Sequence, residues 1–562
     1  MKKNIHTLAW PLLCLLIGTA CHVRGQNFIQ ETKDTLQYHR IKINSKDGTI
    51  VPWYDPDPTK AYDHTIQLIW NFWDNMRKDS NGLPYYMNHQ VWRPDFNDRR
   101  GIGGDQISMA LSSWGLLYAY SGNEKVKENM KFMADYYLSH SLSPADVDWP
   151  NLPYPYNTLI YSGKYDGDMV IGPNFTQPDK AGSFGLELLK LHKMTETRIF
   201  GNVTEKRYLK AAIQIANTLA GHIKQGNYEN SPLPFKVNAL TGEVGKLKSN
   251  KGDDTEVQSS SYTSNWAPTM ELFLGLIAMG KGQVESYKKG FQLLLEWMKV
   301  YPLKNNRWGP FFEDIPGWSD TQVNAITFAQ FIMNHQEYFP EWRQQVDAIF
   351  QWVYTKLGNK TWENYGVLAI NEQTVYQTPG NSHTSRQASA ELQYAAIAGK
   401  GNLVEGAIRK LNWATYMVDV DGKNKYPRDE VWLTDGYGDY VRHYLRSMAY
   451  FPQLAPDNKN HLLYSSSIVQ HMEYAPQLNK FLVPEVALEK VSKTLIHYRT
   501  YDDVSTEVIR MVEKPKAILV NDKVLPENDG EKVSGWHWEN LKKGGILTIR
   551  HQDGNKILVM GN

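Results

Sequence analysis

The chain has 562 residues, of which 41% are hydrophobic, so it holds enough apolar material for a large core and is not a disordered chain. Its 61 basic and 60 acidic residues give a formal net charge of +1, which argues against a nucleic-acid partner. Aromatic residues make up 12% of the chain, and besides filling the core they suit the apolar faces of sugar rings.

The N-terminus predicts export. Lys2 and Lys3 precede an apolar segment, residues 8–17, that is too short to span a membrane. Small residues then lead to Cys21, as in a bacterial lipoprotein signal. We therefore expect residues 1–25 to be a signal peptide of lipoprotein type, with Cys21 as the lipidated residue; simple cleavage after Gly25 is the alternative. This predicts a Gram-negative protein of the periplasm or outer membrane, which meets a membrane only through its lipid anchor.

Cysteine usage limits the chemistry of the rest of the chain. Cys14 and Cys21 are the two cysteines, and both lie in the signal segment. The exported part therefore has no disulfide, no thiol nucleophile and no cysteine metal site.

After an extended lead-in at residues 26–59, mostly apolar helices alternate with helices that have one apolar face. An amphipathic helix at 61–78 comes first, and Asp105 opens the first mostly apolar helix. Gly122 and Asn123 then break the chain before an amphipathic helix. The later mostly apolar helices, each but the last followed by an amphipathic one, are predicted at 181–194, 264–281, 318–336, 385–398 and 435–449.

This alternation predicts a mainly α fold, an (α/α)6 toroid over residues 60–480 in which mostly apolar helices form the inner ring. A solenoid of helical pairs is the alternative, but no repeated sequence motif is visible. Residues 481–562 predict a small antiparallel β domain, with strands at 494–498, 505–512, 517–520, 523–525, 546–550 and 556–560.

Long loops precede the inner helices, and short turns follow them. Ordered long loops in compact domains are usually functional. Because each inner helix is entered from a long loop, the first residues of all six should meet at one rim of the ring. The polar side chains at these helix starts define the candidate site.

The residues at these starts suit sugar chemistry. The candidate catalytic residues are Asp105, Asp320 and His383. The candidate substrate-binding residues are Arg99, Arg100, Trp266, Trp318, Arg386, Tyr437 and Asp439. Each has a structural alternative, since an Asp at a helix start often caps the helix and a single histidine often belongs to the core. The convergence of six loops favours a functional reading.

The starts of two inner helices resemble those of a known enzyme family. Residues 99–106 form a loop rich in Arg, Gly and Asp that enters an inner helix, and residues 317–320 (Gly-Trp-Ser-Asp) begin another. Over residues 60–450 the chain resembles the six-hairpin glycosidases: unsaturated glucuronyl hydrolases, rhamnogalacturonyl hydrolases and exo-β-glucuronidases. The resemblance implies a toroidal fold, a uronic-acid substrate and acid/base aspartates at helix starts.

Hydrolytic removal of a terminal uronic acid, such as β-glucuronic acid, is the first functional hypothesis. Asp105 and Asp320 would be the general acid and base, with Asp439 in reserve. The arginines would hold the sugar carboxylate through forked hydrogen bonds, and the tryptophans and Tyr437 would stack on sugar rings.

Two other functions stay open. A polysaccharide lyase would need a base for the C5 proton and a group that neutralises the carboxylate, for which the sequence offers Tyr85 or Tyr437, His89 or His383, and Asn381. A non-catalytic glycan-binding lipoprotein would use the same groove.

No cofactor and no metal are expected. The chain has no HExxH motif and no calcium loop, and the glycines at 101–104 do not follow a strand as a dinucleotide fingerprint requires. The absence of Gly-x-Ser-x-Gly argues against an α/β-hydrolase esterase. The expected partner is an oligo- or polysaccharide that contains uronic acid, and association into a homo-oligomer stays open.

Overall fold

The computed structural model describes residues 29–88, 104–158, 162–168, 170–196, 206–248, 257–312, 318–424, 437–475, 493–528 and 534–561. Within these ranges, thirteen α-helices dominate the chain. They are α1 (Pro58–Asp74), α2 (Tyr85–Asn88), α3 (Gly104–Ser121), α4 (Glu124–His140), α5 (Pro178–Thr195), α6 (Lys206–His222), α7 (Ala267–Met279), α8 (Val284–Met298), α9 (Gln322–Asn334), α10 (Trp342–Leu357), α11 (Asn381–Ala398), α12 (Val404–Thr415) and α13 (Tyr437–Tyr450).

Six of these helices form a closed inner ring. Helices α3, α5, α7, α9, α11 and α13 each contact the next, and α13 returns to α3. Helices α4, α6, α8, α10 and α12 pack outside their preceding inner helix, and α1 completes the outer layer against α12 and α13. The predicted (α/α)6 toroid is therefore confirmed, and the contact of α1 with α13 rules out an open solenoid.

The two layers differ in how they are buried. Outer helix α8 buries Tyr287, Phe291 and Leu294 at helical spacing and turns Lys288 to solvent, as an amphipathic helix does. Inner helix α11 is buried along its first four turns although it begins with polar residues. The inner helices are thus enclosed on every side, and their polar residues line an axial cavity rather than an outer surface.

The loops that precede the inner helices lie at one rim and carry the short strands β3 to β10 (Gly167–Asp168, Gly172–Pro173, Phe175–Thr176, Val237–Asn238, Lys246–Lys248, Val257–Ser259, Gly358–Asn359 and Ala369–Ile370). The turns that follow inner helices are short. Three of them use a glycine with positive φ, Gly122 at 65°, Gly280 at 62° and Gly399 at 72°, a conformation that costs glycine little. Short π or 3-10 turns complete the toroid at Lys299–Leu303, Gln336–Tyr338, Glu363–Tyr365, Gly401–Leu403 and Pro452–Leu454.

An antiparallel β sandwich follows the toroid. Its strands are β11 (His461–Ser465), β12 (Val469–Tyr474), β13 (Thr494–Thr500), β14 (Ser505–Met511), β15 (Ala517–Val520), β16 (Lys523–Leu525), β17 (Gly535–Asn540), β18 (Gly545–His551) and β19 (Lys556–Met560). One sheet has the order β11-β14-β18-β17 and the other β12-β13-β19-β15-β16. Strands β11 and β12 contact α3, and β12 also contacts α5, so the sandwich covers the C-terminal ends of the inner helices.

The structure differs from the sequence expectation at both ends of the toroid. Strands of the β domain begin at His461, before the expected boundary at residue 480. Strands β11, β12 and β17 were not predicted because polar residues interrupt their apolar pattern. The expected extended lead-in contains a hairpin, β1 (Ile29–Leu36) and β2 (His39–Asn44). In the described ranges, no helix has both the length and the apolar character needed to cross a bilayer. Cys21 and the signal segment lie outside the described residues.

Candidate functional site

The inner ring encloses a cavity of about 610 Å³ along its axis. Its lining begins at the first turns of inner helices, with Lys180 of α5 and Asn265 just before α7, and ends against the sandwich at Tyr464 and Ile468. Five of the six inner helices contribute residues spaced by three or four positions, and α11 contributes Arg386 and Gln393, seven positions apart. Both spacings keep side chains on one helix face. The cavity therefore connects the loop rim with the β sandwich.

The lining is predominantly basic. Among the described residues, five cations and two carboxylates face the cavity: Lys180, Lys190, Arg386, Arg442 and Arg446, against Glu187 and Glu271. Two of the arginines, Arg442 and Arg446, lie one turn apart on α13. The N-termini of the inner helices add positive potential at the rim, so the cavity favours a negatively charged ligand.

An ion cluster lies next to this lining and shares two of its arginines. We call it the Asp439 cluster; it consists of Asp439, Arg386, Arg442 and His443. The guanidinium groups of Arg386 and Arg442 each donate to one carboxylate oxygen of Asp439. The Nε2 atom of His443 lies 3.3 Å from Asp439 Oδ1. Burial opposes ionisation of Asp439, but the two arginines and His443 hold its pKa well below the usual 3.8. Arg386 also donates to Gln322 Oε1 at 2.7 Å.

Arg446 differs from its neighbours on α13. In the described part of the chain, no carboxylate lies within ion-pair distance of its guanidinium, which donates one long hydrogen bond of 3.4 Å to Gln330. Burial and the nearby charge of Arg442 lower the pKa of Arg446 to about 10. The charges of Asp439 and Glu187 oppose this shift, but neither carboxylate pairs with half-buried Arg446, so an anionic ligand in the cavity would stabilise the cation.

His383 is a buried histidine near the start of α11. It lies one turn before Arg386 on α11 and is 2% exposed. Within the described residues, neither of its ring nitrogens has a hydrogen-bond partner. The ring fits against Gly380, where a Cβ would lie 2.7 Å from its Nδ1. Burial and the charge of Arg386 lower the pKa of His383 to about 3, so its imidazole is neutral near pH 7.

A third group at the rim includes Asp179, in the first turn of α5. Its Oδ2 accepts hydrogen bonds from Lys180 Nζ at 2.8 Å and from Asn265 Nδ2 at 3.0 Å. Its Oδ1 is buried and, across the described ranges, has no hydrogen-bond partner. Lys180 also donates to the carbonyl oxygen of Phe311 and lies 3.6 Å from the centre of its ring. Asp179 is fully buried behind the lining residue Lys180, and its Oδ1 is the carboxylate oxygen that is not engaged by these two donors.

Asp320, a predicted catalytic residue, has a structural position. Its Oδ1 accepts from the backbone N–H groups of Trp308 and Gly309 at 2.7 and 2.8 Å, and its Oδ2 accepts from Trp318 Nε1 at 3.0 Å. It does not cap α9, whose N-cap residue is Thr321. The carboxylate joins two loop segments, and we do not carry it forward as an acid or base.

Three predicted stacking residues are occupied by protein contacts. Trp266 is fully buried and its indole donates to the carbonyl oxygen of Thr263. Tyr437 is fully buried, and its ring stacks on Phe72 with centroids 5.2 Å apart. Trp318 is half-buried, with the guanidinium carbon of Arg307 3.6 Å from its ring centre.

Some of the remaining predicted residues lie at or beside the cavity, and the side chains of the others are not among the residues that the structure describes. Arg386 lines the cavity, and His383 and Asp439 are buried beside it. Asp105 lies in the first turn of α3, and its side chain is outside the description, as are Arg99 and Arg100. Arg442 and Arg446, which follow the predicted Asp439 along α13, were not predicted, although their spacing of three and four residues on an inner helix was the signal for them.

Comparisons with known proteins agree on the fold. No known protein family and no curated protein matches the chain. Cellobiose 2-epimerase from Spirochaeta thermophila superposes with a TM-score of 0.52 at 12% identity, over 70% of this chain and 97% of that one. Cellobiose 2-epimerase from Bacillus thermoamylovorans gives a TM-score of 0.50 at 16% identity, over 69% of this chain and 98% of that one. At these identities the similarity concerns the fold.

Proposed function

We propose that this protein is a carbohydrate-processing enzyme that binds an acidic sugar in the axial cavity of its toroid. The observation that carries the proposal is the excess of cations among the charged lining residues, and within it the half-buried guanidinium of Arg446. A uronic acid combines a carboxylate for this cation with hydroxyl groups for the polar lining. Two structures of similar fold, both cellobiose 2-epimerases, support a saccharide as the ligand.

Recognition of the sugar carboxylate rests on Arg446. Arg386 and Arg442 already donate to Asp439, and Lys190 is paired with Glu187 at 2.7 Å. Arg446 therefore is the lining arginine whose charge is least compensated. A carboxylate beside it would remove the repulsion from Arg442 and provide the missing acceptors.

For the reaction, we propose β-elimination with His383 as the base. The neutral imidazole would accept the C5 proton of a uronic acid, the C4–O bond would break, and the leaving oxygen would take up a proton from a general acid or water. The low pKa of free His383 reflects burial and the charge of Arg386. A substrate carboxylate nearby would offset that charge and raise the pKa of His383 toward a useful range.

Hydrolysis of a terminal uronic acid is the second candidate, and the free Oδ1 of Asp179 favours it. Asp179 and Asp105 lie in the first turns of the adjacent inner helices α5 and α3. Asp179 would have the acid or base role that the sequence predicted for Asp320. One carboxyl group would protonate the leaving oxygen, and the other would activate water or attack the sugar.

Product analysis tests these assignments. The purified protein is incubated with several uronic-acid polysaccharides and with neutral glucans and mannans, and unsaturated uronate absorbance and new reducing ends are measured. New reducing ends with the ultraviolet absorbance of a 4,5-unsaturated uronate mean elimination. New reducing ends without that absorbance mean hydrolysis. Turnover of neutral glycans alone, or binding of acidic glycans without turnover, contradicts the proposal.

Variants assign the roles. His383→Ala should lower kcat by about 10²- to 10⁴-fold if elimination is the reaction, and Asp179→Asn should do so if hydrolysis is. Arg446→Met should raise KM for acidic glycans while kcat changes less. Lys190→Met is its matched control, because that lysine lines the same cavity but is already paired with Glu187. Equal effects of the two cation variants on KM would contradict the role of Arg446.

A further inference from the structure

Two histidines and a glutamate meet on the β sandwich. His471 and Glu473 lie two residues apart on the edge strand β12, so their side chains are on the same face of the sheet. His497 on β13 is the cross-strand partner of Glu473. The Oε2 atom of Glu473 is 3.6 Å from His471 Nε2 and 3.7 Å from His497 Nδ1. None of the three lines the axial cavity.

We propose that His471, Glu473 and His497 bind a divalent transition-metal ion, with Zn²⁺ as the best match. Imidazole and carboxylate are the usual non-thiolate ligands of zinc, and two histidines with one glutamate form a known ligand set. Ligand bonds of about 2.0–2.1 Å in a tetrahedral site place neighbouring donor atoms about 3.3 Å apart. All three donor atoms lie within 4.8 Å of one another, so small side-chain rotations would close the site.

The surroundings are compatible with binding of moderate strength. All three side chains are partly exposed, between 27% and 41%, so an ion could reach them from solvent. Arg499 and Lys556 occupy neighbouring register positions and oppose a bare dication, but both are exposed at the surface.

The ion would join the edge strand to the rest of its sheet. Among the described strands, β12 pairs with β13 alone, and the three ligands span this pair. With three protein ligands, the fourth position of a tetrahedral ion would hold water. This proposal is independent of the function proposed for the cavity, and metal binding should raise the thermal midpoint of the protein.

Calorimetric titration tests the site. The full protein, without a histidine tag and after treatment with a chelator, is titrated with ZnCl₂, and we expect one ion per chain. His471→Ala and His497→Ala should each weaken this binding about tenfold or more. Glu473→Gln, which keeps the size of the side chain, should also weaken it. Replacement of zinc by Co²⁺ should give the visible absorption of a tetrahedral complex.

The matched control is His140→Ala. His140 lies on the outer helix α4, where its Nδ1 contacts the carbonyl oxygen of Tyr136, and its loss should leave zinc binding unchanged. The thermal midpoint of each metal-free variant shows whether it folds. Absence of zinc binding by the wild type would overturn the proposal. Equal binding by the wild type and by a folded His471, His497 or Glu473 variant would also overturn it.

Discussion

The toroid and the sandwich each bury a carboxylate, and the two are balanced differently. Asp439 in the toroid meets two arginines, Arg386 and Arg442, and both of these line the cavity. Glu507 in the sandwich has His551 Nε2 at 3.3 Å and accepts from Tyr498 of the opposite sheet, also at 3.3 Å. The Asp439 cluster therefore has surplus positive charge, whereas Glu507 is paired with one histidine.

Under the proposed function, we expect this difference to separate a ligand-binding cluster from a stabilising one. A buried positive charge without a counter-ion costs free energy of folding, and proteins keep such charge where a ligand neutralises it. The pair in the sandwich needs no ligand, because its partners come from the protein itself. We therefore expect changes around Asp439 to alter both stability and turnover, and changes around Glu507 to alter stability alone.

The largest effect is expected from Arg386→Met. The change leaves Asp439 buried with one arginine fewer and should lower the free energy of unfolding by about 3–5 kcal/mol. Chemical denaturation measures the loss, and turnover of acidic glycans should fall as well. Arg409→Met is the control, because Arg409 pairs with the exposed Glu405 on an outer helix and should cost less than about 1 kcal/mol. Similar losses of unfolding free energy in both variants would contradict the special role of the Asp439 cluster.

A smaller effect on stability is expected from His551→Ala. Glu507 keeps its hydrogen bonds from Tyr498 and Ser465 but loses its charged partner, so the free energy of unfolding should fall by about 2–3 kcal/mol. The kcat and KM of the folded variant should equal those of the wild type. His537→Ala, an exposed position in the same sheet, is the control for stability. A loss of turnover in folded His551→Ala would contradict a purely stabilising role.

Asp320→Asn should have a still smaller effect. The amide oxygen can still accept from the N–H groups of Trp308 and Gly309, but the amide nitrogen then faces the indole N–H of Trp318. Two hydrogen-bond donors then face each other, so we expect the free energy of unfolding to fall by about 1–2 kcal/mol. Turnover should stay close to that of the wild type. Steady-state kinetics on the folded variant check this. A fall in kcat of about 100-fold would restore Asp320 as an acid or base.

The smallest effect concerns pH. Burial would lower the pKa of His551, but the hydrogen bond and charge of Glu507 outweigh burial and raise the pKa above 6.5. A raised pKa stabilises the folded state fully below the unfolded value and loses that contribution as pH rises through the folded value. The stability difference between wild type and His551→Ala should therefore shrink as pH increases above about 6.5. A difference that grows with pH would contradict the pairing.

The sequence by itself determined the layers of the toroid. The apolar or polar character of residues three and four positions apart shows whether a helix is buried all round or on one face. The inner and outer helices could therefore be predicted from local patterns. The convergence of the helix starts followed from the order of long loops and short turns. His383 and Arg386 were found in this way, because they begin an inner helix.

Tertiary structure alone decided what each polar residue does. Asp320 and Asp179 both precede or begin inner helices, yet one is bonded by backbone groups of residues 308 and 309 and the other keeps a free oxygen. The hydrogen-bond partners of Asp320 lie on a separate loop segment, and no local sequence pattern predicts that the two segments come together. The pairing of Glu473 with His497 likewise depends on strand register, because a shift by one residue would move either side chain to the other face of the sheet.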